Sequence, residues 1–200
     1  FETEIELQLA VPGRHNVQNA LAAVSVGLKL DVSPETVVSA LAKFRGADRR
    51  LQVCGEINGI VVVDDYGHHP TEIAAVIETV RLRAPARVWV IFQPHRYSRT
   101  ISLLERFGSA LGMADAVVLT EVYAASESPI SGATSSAVAE AIRRVSATPV
   151  RVVKSLSEIP RIVAAEARPG DVVVTLGAGS IGTVPQRIVD ALRFRFEGKN

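Results

Sequence analysis

From residue 51 onward the chain keeps one rhythm: short runs of β-branched residues alternate with stretches whose apolar residues recur every three or four positions. Runs at 60–63, 87–92, 116–120, 150–153 and 171–176 read as buried strands. Between and after them come apolar helical faces: Ile73, Val76, Ile77 and Val80; Leu104, Phe107 and Leu111; Val138, Ala141, Ile142 and Val145; Ile159 and Ile162; Ile188 and Leu192. Parallel strands cannot be joined by a tight turn, so this alternation predicts an α/β fold, a mostly parallel sheet with crossover helices on both faces. One pair departs from the rule. The runs 51–57 and 60–63 flank Asn58-Gly59, a dipeptide suited to the two positive-φ positions of a tight hairpin, so the sheet should begin with an antiparallel hairpin.

The first 50 residues read differently. Residues 1–11 alternate polar and apolar side chains, which predicts a half-buried strand, and no methionine or leader stands before them. The chain is therefore expected to open inside a domain. After Pro12-Gly13, Val17, Ala20, Leu21, Val24 and Leu28 share one helical face, with His15, Asn16 and Asn19 in the first turn. Ser33-Pro34 supplies an N-cap and a first-turn proline for a short helix carrying Val37, Val38 and Leu41. Residues 44–50 are polar, hold three arginines and break the periodicity, as a linker does. The expected division is thus 1–45 and 46–200.

Composition narrows the function classes. A hydrophobic content of 48% in 200 residues buries one substantial core and part of a second domain. Lysine plus arginine number 22 against 21 aspartate plus glutamate, so whole-chain charge argues for neither nucleic acid nor an anionic membrane, and any anion must be held by a local cluster. The single cysteine, Cys54, has no partner within the chain, suits a reducing compartment and reads as a small apolar strand residue. No apolar run approaches the roughly 18 residues of a membrane-spanning helix; a cytoplasmic location is the expectation.

Four stretches carry chemistry. At 61–73 a strand of valines ends in Asp64-Asp65, passes Tyr66-Gly67-His68-His69 and enters a helix at Pro70. Such carboxylates can hold a ribose hydroxyl or a metal, serve as a base, or simply cap a solvated turn. Pro70 keeps His69 extended, so the two rings should diverge: one imidazole for a ligand, the other structural. At 92–100, His95, Arg96 and Arg99 follow a buried strand. Two guanidinium forks there make a seat for a carboxylate or phosphate. Gly177, Gly179 and Gly182 match G-x-G-x-x-G, yet no later strand follows to supply a ribose-binding acid, so the glycines serve close helix packing or cradle a phosphate. Asn16 and Asn19, beside His15, either cap a helix or read a base edge.

Together these stretches resemble the Mur ligases of peptidoglycan synthesis: residues 13–20, Phe44 with Gly46, Arg49 and Arg50, residues 64–72, residues 92–100, Glu121-Val122-Tyr123 with Pro129-Ile130 and Gly132-Ala133, and the glycine motif. Within the family, the corner and arginine motifs are most similar to those of members that use L-alanine. The resemblance covers nearly the whole chain in order. It implies the end of a central ATPase domain, to about residue 45, joined to a carboxyl-terminal Rossmann-like domain that binds an amino acid. The phosphate loop and the UDP-sugar domain would lie in a longer protein and be partners of this fragment. The activity implied is ATP- and Mg2+-dependent amide formation between UDP-N-acetylmuramate and L-alanine through an acyl phosphate. By resemblance, Asn16 and Asn19 lie near the adenine and His15 near a magnesium ion. Arg49 or Arg50 reaches the nucleotide phosphates and Asp65 the ribose. Arg96 and Arg99 clamp the alanine carboxylate, with Tyr66, His68 and His95 shaping the pocket. None of these is expected to be a catalytic residue. The alternatives are a member that adds a whole tripeptide to the same sugar nucleotide, and a non-catalytic nucleotide-binding module.

Overall fold

A computed structural model describes residues 4–198. They form two compact units that divide between Ala47 and Asp48. In the first, α1 (Arg14–Lys29) and α2 (Pro34–Lys43) occupy the predicted positions. Ser33 caps α2 by accepting the Thr36 N–H, and Pro34 stands in the first turn. On α1, Ala20 is buried while Val17, Leu21 and Leu28 stay exposed. The strand expected over 1–11 does not form in its described part. Residues 4–11 do alternate between exposed and half-buried. Alternation supplies only a face, however, and a strand also needs a neighbouring chain to take its backbone hydrogen bonds. Residues 1–3 lie outside the described residues.

The second unit is the predicted α/β sheet. In chain order it contains β1 (Gln52–Ile57), β2 (Ile60–Asp65), α3 (Pro70–Arg81), β3 (Arg87–Phe92), α4 (Tyr97–Ser102), α5 (Leu104–Leu111) and β4 (Ala116–Leu119). Then come α6 (Ser135–Val145), β5 (Val150–Val152), α7 (Ile159–Glu166), β6 (Asp171–Leu176) and α8 (Val184–Phe196). The strand order is β1-β2-β6-β3-β4-β5, antiparallel only between β1 and β2. Asn58 (φ 49°) and Gly59 (φ 71°) make the hairpin turn.

Strand alternation sorts the core into two layers. Val63, Val88, Val90, Phe92 and Val174 pack against Ile73, Ile77, Phe107, Leu111, Val138 and Ile142 of α3, α5 and α6. Val62, Trp89, Ile91 and Val173 face Ile159, Val163, Ile188 and Leu192 of α7 and α8. The reason lies in handedness. From β2 through β5 the chain advances across the sheet, and right-handed crossovers keep its helices on one face. The step from β5 to β6 runs backward, so α7 must cross on the other face. That return slots β6 between β2 and β3, two strands that follow one another in the chain. Every residue of β6 is buried, as a central strand requires.

At the opposite end of the sheet, Asp171 is 1% exposed. It accepts from Arg87 Nε at 3.0 Å, Arg87 Nη2 at 2.5 Å and the Arg168 N–H at 2.8 Å. Arg87 Nη2 also donates to the Glu166 carbonyl. One ion pair thus ties β3, β6 and the end of α7 together.

Candidate functional site

The parallel strands β2, β6, β3 and β4 end along one edge of the sheet. After β2 the chain turns to α3 on one face; after β6 it turns to α8 on the other. Diverging connections of this kind open a crevice at the carboxyl ends of the strands, and three of the four chemistry-bearing stretches meet there.

The two aspartates are both 3% exposed and hold the corner together. Asp64 accepts from Thr175 Oγ1 at 2.6 Å and from Arg49 Nε at 2.7 Å. Asp65 accepts the Gly67 and Leu51 N–H groups at 2.7 and 2.9 Å. Burial raises the Asp65 pKa, while those two N–H groups and Arg50 pull it down and Glu72 pushes it up. A ribose would have to use the lone pairs these bonds leave over. Arg49 spends its remaining fork on the Gly177 carbonyl at 2.7 Å and lies over the Tyr66 ring at 5.2 Å. Arg50 is exposed, 5.9 Å from the same ring.

The two histidine rings meet different partners. His69 is the structural one: its Nδ1 accepts the Thr71 N–H at the start of α3, and Glu72 accepts its backbone N–H, a reciprocal cap. His68 turns into the crevice. Its ring meets Tyr66 edge-on at 5.5 Å and lies 5.5 Å from the ring of His95. His95 in turn stacks on Tyr123 at 5.4 Å, with an interplanar angle of 17°. Four rings from three strand ends form a continuous row, Tyr66, His68, His95, Tyr123, with Arg49 and Arg50 over Tyr66 and Arg99 beside His95.

On the β3 side, Arg99 Nη1 lies 3.4 Å from His95 Nδ1 and 3.4 Å from the His95 carbonyl. Arg96 adopts φ 71°, and its half-exposed guanidinium lies 3.9 Å from Glu127. Glu127 also accepts the Ser98 N–H at 3.0 Å and the Ser98 hydroxyl at 2.6 Å. Those two Ser98 contacts hold the Glu127 carboxyl below its usual range. The amino end of the six-residue α4 is therefore filled by an internal carboxylate, and the side chains of Arg96 and Arg99 are what remain for a ligand. Burial lowers the His95 pKa, and His68, Arg99 and Arg96 lower it further against a weaker opposing effect of Glu127. Folded His95 thus resists its proton more than unfolded His95 does. Its contribution to stability is present above the unfolded value and lost as pH falls through the folded one. An NMR titration of the imidazoles should find His95 titrating below the ordinary value of about 6.5; a value at or above it would contradict this environment.

The glycine motif is closed by side chains. Gly177 (φ 143°) sits where a Cβ would meet the Gln93 carbonyl at 2.9 Å. At Gly179 it would strike Tyr123 Cγ at 2.6 Å, and at Gly182 the Arg49 guanidinium at 2.7 Å. Close packing, not a phosphate cradle, accounts for all three. Gln93, buried, links the motif to β3 by accepting the Ile181 N–H at 3.0 Å and bonding Ser180. Gln93, Tyr123 and Glu127 were given no role by sequence reasoning. Tyr123 and Glu127 lie in a segment without periodicity, so only folding shows what they meet.

In the first unit Asn16 donates to the Pro12 carbonyl at 2.7 Å, and Asn19 to Asn16 Oδ1 at 3.4 Å; neither amide caps α1, whose amino end has no side-chain cap. Among the described residues no three His, Cys, Asp or Glu side chains converge as a metal site, and no helix is long and apolar enough to cross a membrane.

Comparison with known proteins follows the same residues. The family described as Mur ligase, glutamate ligase domain, matches residues 49–179. The chain is 49% identical over 185 residues to a UDP-N-acetylmuramate–L-alanine ligase of Nitratidesulfovibrio vulgaris, covering 92% of this chain and 41% of that protein. Its fold is similar to that of the UDP-N-acetylmuramate-alanine ligase from Thermotoga maritima, with TM-score 0.77, 31% identity, and coverage of 98% of this chain and 41% of the other. A murein peptide ligase from Psychrobacter arcticus gives TM-score 0.71, 27% identity, and coverage of 93% and 38%. The chain spans about 41% of the length of the curated relative.

Proposed function

The chain belongs to the Mur ligase family, and from that premise we propose that it is part of an ATP-dependent ligase joining L-alanine to UDP-N-acetylmuramate. The second unit supplies the amino-acid seat and the first unit closes a central ATPase domain. One observation carries the reading: two arginines flank a neutral-leaning imidazole at the carboxyl end of β3, facing the ring row. A guanidinium pair beside a row of aromatic rings suits the carboxylate of an incoming amino acid. The 49% identity to an L-alanine ligase supports alanine over a tripeptide.

The parts then divide the work. Arg96 and Arg99 take the carboxylate, with Tyr66, His68 and His95 as walls. Arg50, exposed over Tyr66, is the better placed of its pair to reach a nucleotide phosphate, since Arg49 is held by Asp64 and Gly177. Asn16, Asn19 and Asp65 are proposed on the nucleotide side through the resemblance. Magnesium enters only as the counter-ion of ATP. A lone imidazole at His15 poorly suits a cation that prefers oxygen ligands. UDP-N-acetylmuramate would be held by the domains that complete the longer protein, in the cytoplasm where the nucleotide is available.

In the full-length protein, Arg96→Ala should raise the KM for alanine about 10- to 100-fold, the effect of losing a hydrogen bond to a charged group. The KM for UDP-N-acetylmuramate should change little. Equal effects on both, or alanine-independent activity, would sink the assignment.

A further inference from the structure

The two imidazoles of the ring row are held in opposite tautomers, and their partners decide which is which. His68 Nδ1 lies 3.1 Å from the Tyr66 carbonyl oxygen. A carbonyl only accepts, so Nδ1 carries the hydrogen and Nε2 the lone pair. His95 Nδ1 lies 3.4 Å from Arg99 Nη1. A guanidinium only donates, so here Nδ1 accepts and Nε2 carries the hydrogen. Side by side, 5.5 Å apart, the crevice holds one ring with a basic Nε2 and one with a donating Nε2–H.

His68 has a second partner. Glu72 Oε2 stands 3.8 Å from its Nδ1 while accepting the His68 and His69 backbone N–H groups at 2.9 and 3.1 Å. The carboxylate is thus pinned behind the ring. It favours the Nδ1–H tautomer and stabilises the imidazolium that forms when Nε2 gains a proton, as carboxylate–histidine pairs do in general-base sites. The Tyr66 ring and His95 also face His68, and Arg50, 5.9 Å from the Tyr66 ring, acts on the Glu72 charge.

We infer that His68 is the proton acceptor for the incoming amine and that Glu72 is its positioning residue. The inference rests on the ligase reading above. An amino acid arrives as an ammonium ion, which has no lone pair and cannot attack. His68 Nε2 takes one proton. The freed nitrogen lone pair forms the C–N bond at the acyl carbon, the C–O bond to phosphate breaks with its electron pair on the phosphate oxygen, and the second nitrogen proton leaves with that phosphate. His95, whose Nε2 donates, serves the carboxylate end beside Arg99 and takes no proton.

The test is steady-state kinetics of the full-length protein over a range of pH. His68→Asn keeps a donor toward the Tyr66 carbonyl and lacks Nε2. It should lower kcat about 10²- to 10⁴-fold, the usual range for a general base, and the KM for alanine should move much less. The loss should shrink at least tenfold, as an order-of-magnitude expectation from Brønsted behaviour, with 3-fluoroalanine, whose ammonium gives up its proton more readily. Glu72→Gln keeps the cap on α3 and removes the charge, so the acid limb of the kcat profile should move to lower pH. A KM effect with kcat unchanged, an equal loss with both amines, or an unmoved acid limb in Glu72→Gln would overturn the inference. If the unmutated protein makes no alanyl product from ATP and UDP-N-acetylmuramate, the ligase reading itself fails.

Discussion

Asp171→Ala is expected to destabilise the second unit by about 2–3 kcal/mol, the value of a buried carboxylate's hydrogen bonds to a charged partner that water still reaches. The carboxylate is 1% exposed, and three N–H donors converge on it from β3 and the turn before β6. Removing it leaves the Arg87 guanidinium, 33% exposed, over the Trp89 ring 5.3 Å away, where water replaces only part of what is lost. Asp171→Asn should cost less, because one carbonyl oxygen still accepts. At roughly 2–4 °C per kcal/mol for a chain of this size, the alanine variant should melt about 4–12 °C lower. Chemical unfolding of the 200-residue chain measures it, and a loss below about 1 kcal/mol, the value of an exposed pair, would show that the pair is not the clamp described.

Gly179→Ala is the counterpart at the other edge, where the expected loss falls on activity. The added Cβ would lie 2.6 Å from Tyr123 Cγ and 2.8 Å from Gln93 Oε1. Cγ is the root of the ring and cannot swing aside as a chain end can, so the ring itself must tilt. Tyr123 stacks on His95, and His95 accepts from Arg99; the tilt therefore reaches the arginine seat. Overpacking of this kind costs about 1–3 kcal/mol, which corresponds to a rise of roughly 10- to 100-fold in the KM for alanine. The same strain should lower the melting temperature by roughly 2–4 °C per kcal/mol, so the kinetic loss, not the stability loss, sets this variant apart from Asp171→Ala. Adding Tyr123→Ala should relieve the strain, and a double-mutant cycle measures the coupling. Wild-type kinetics in Gly179→Ala would refute the chain of contacts.

The fold was largely legible because its signals are local. The valine runs, the Asn58-Gly59 turn, the Ser33 and Pro70 helix starts and the apolar faces each need only a few neighbouring residues to be read. Strand order needs more. Nothing in residues 171–176 says that they will enter between β2 and β3; that follows from the handedness of a crossover, a property of the whole path. The same divide runs through the site. Arg96, Arg99 and His68 announce themselves by residue type at a strand end. Glu127 and Tyr123 do not, because their importance comes from what they touch. Residues 4–11 show the reverse failure, a local pattern without the partner that would make it a strand.

The central place of β6 also bears on how the molecule is born. The strand that parts β2 from β3 is the last of the six to be synthesised. Until it arrives, those two strands have no partner on their facing sides, and open strand edges are where nascent chains find wrong neighbours. The ring row cannot be assembled in advance either, since the spacing of His68 and His95 is set by the strand between them. Completion of the sheet and creation of the crevice are therefore a single late event in folding, and a chain stalled before residue 171 carries every arginine and histidine of the site without the site.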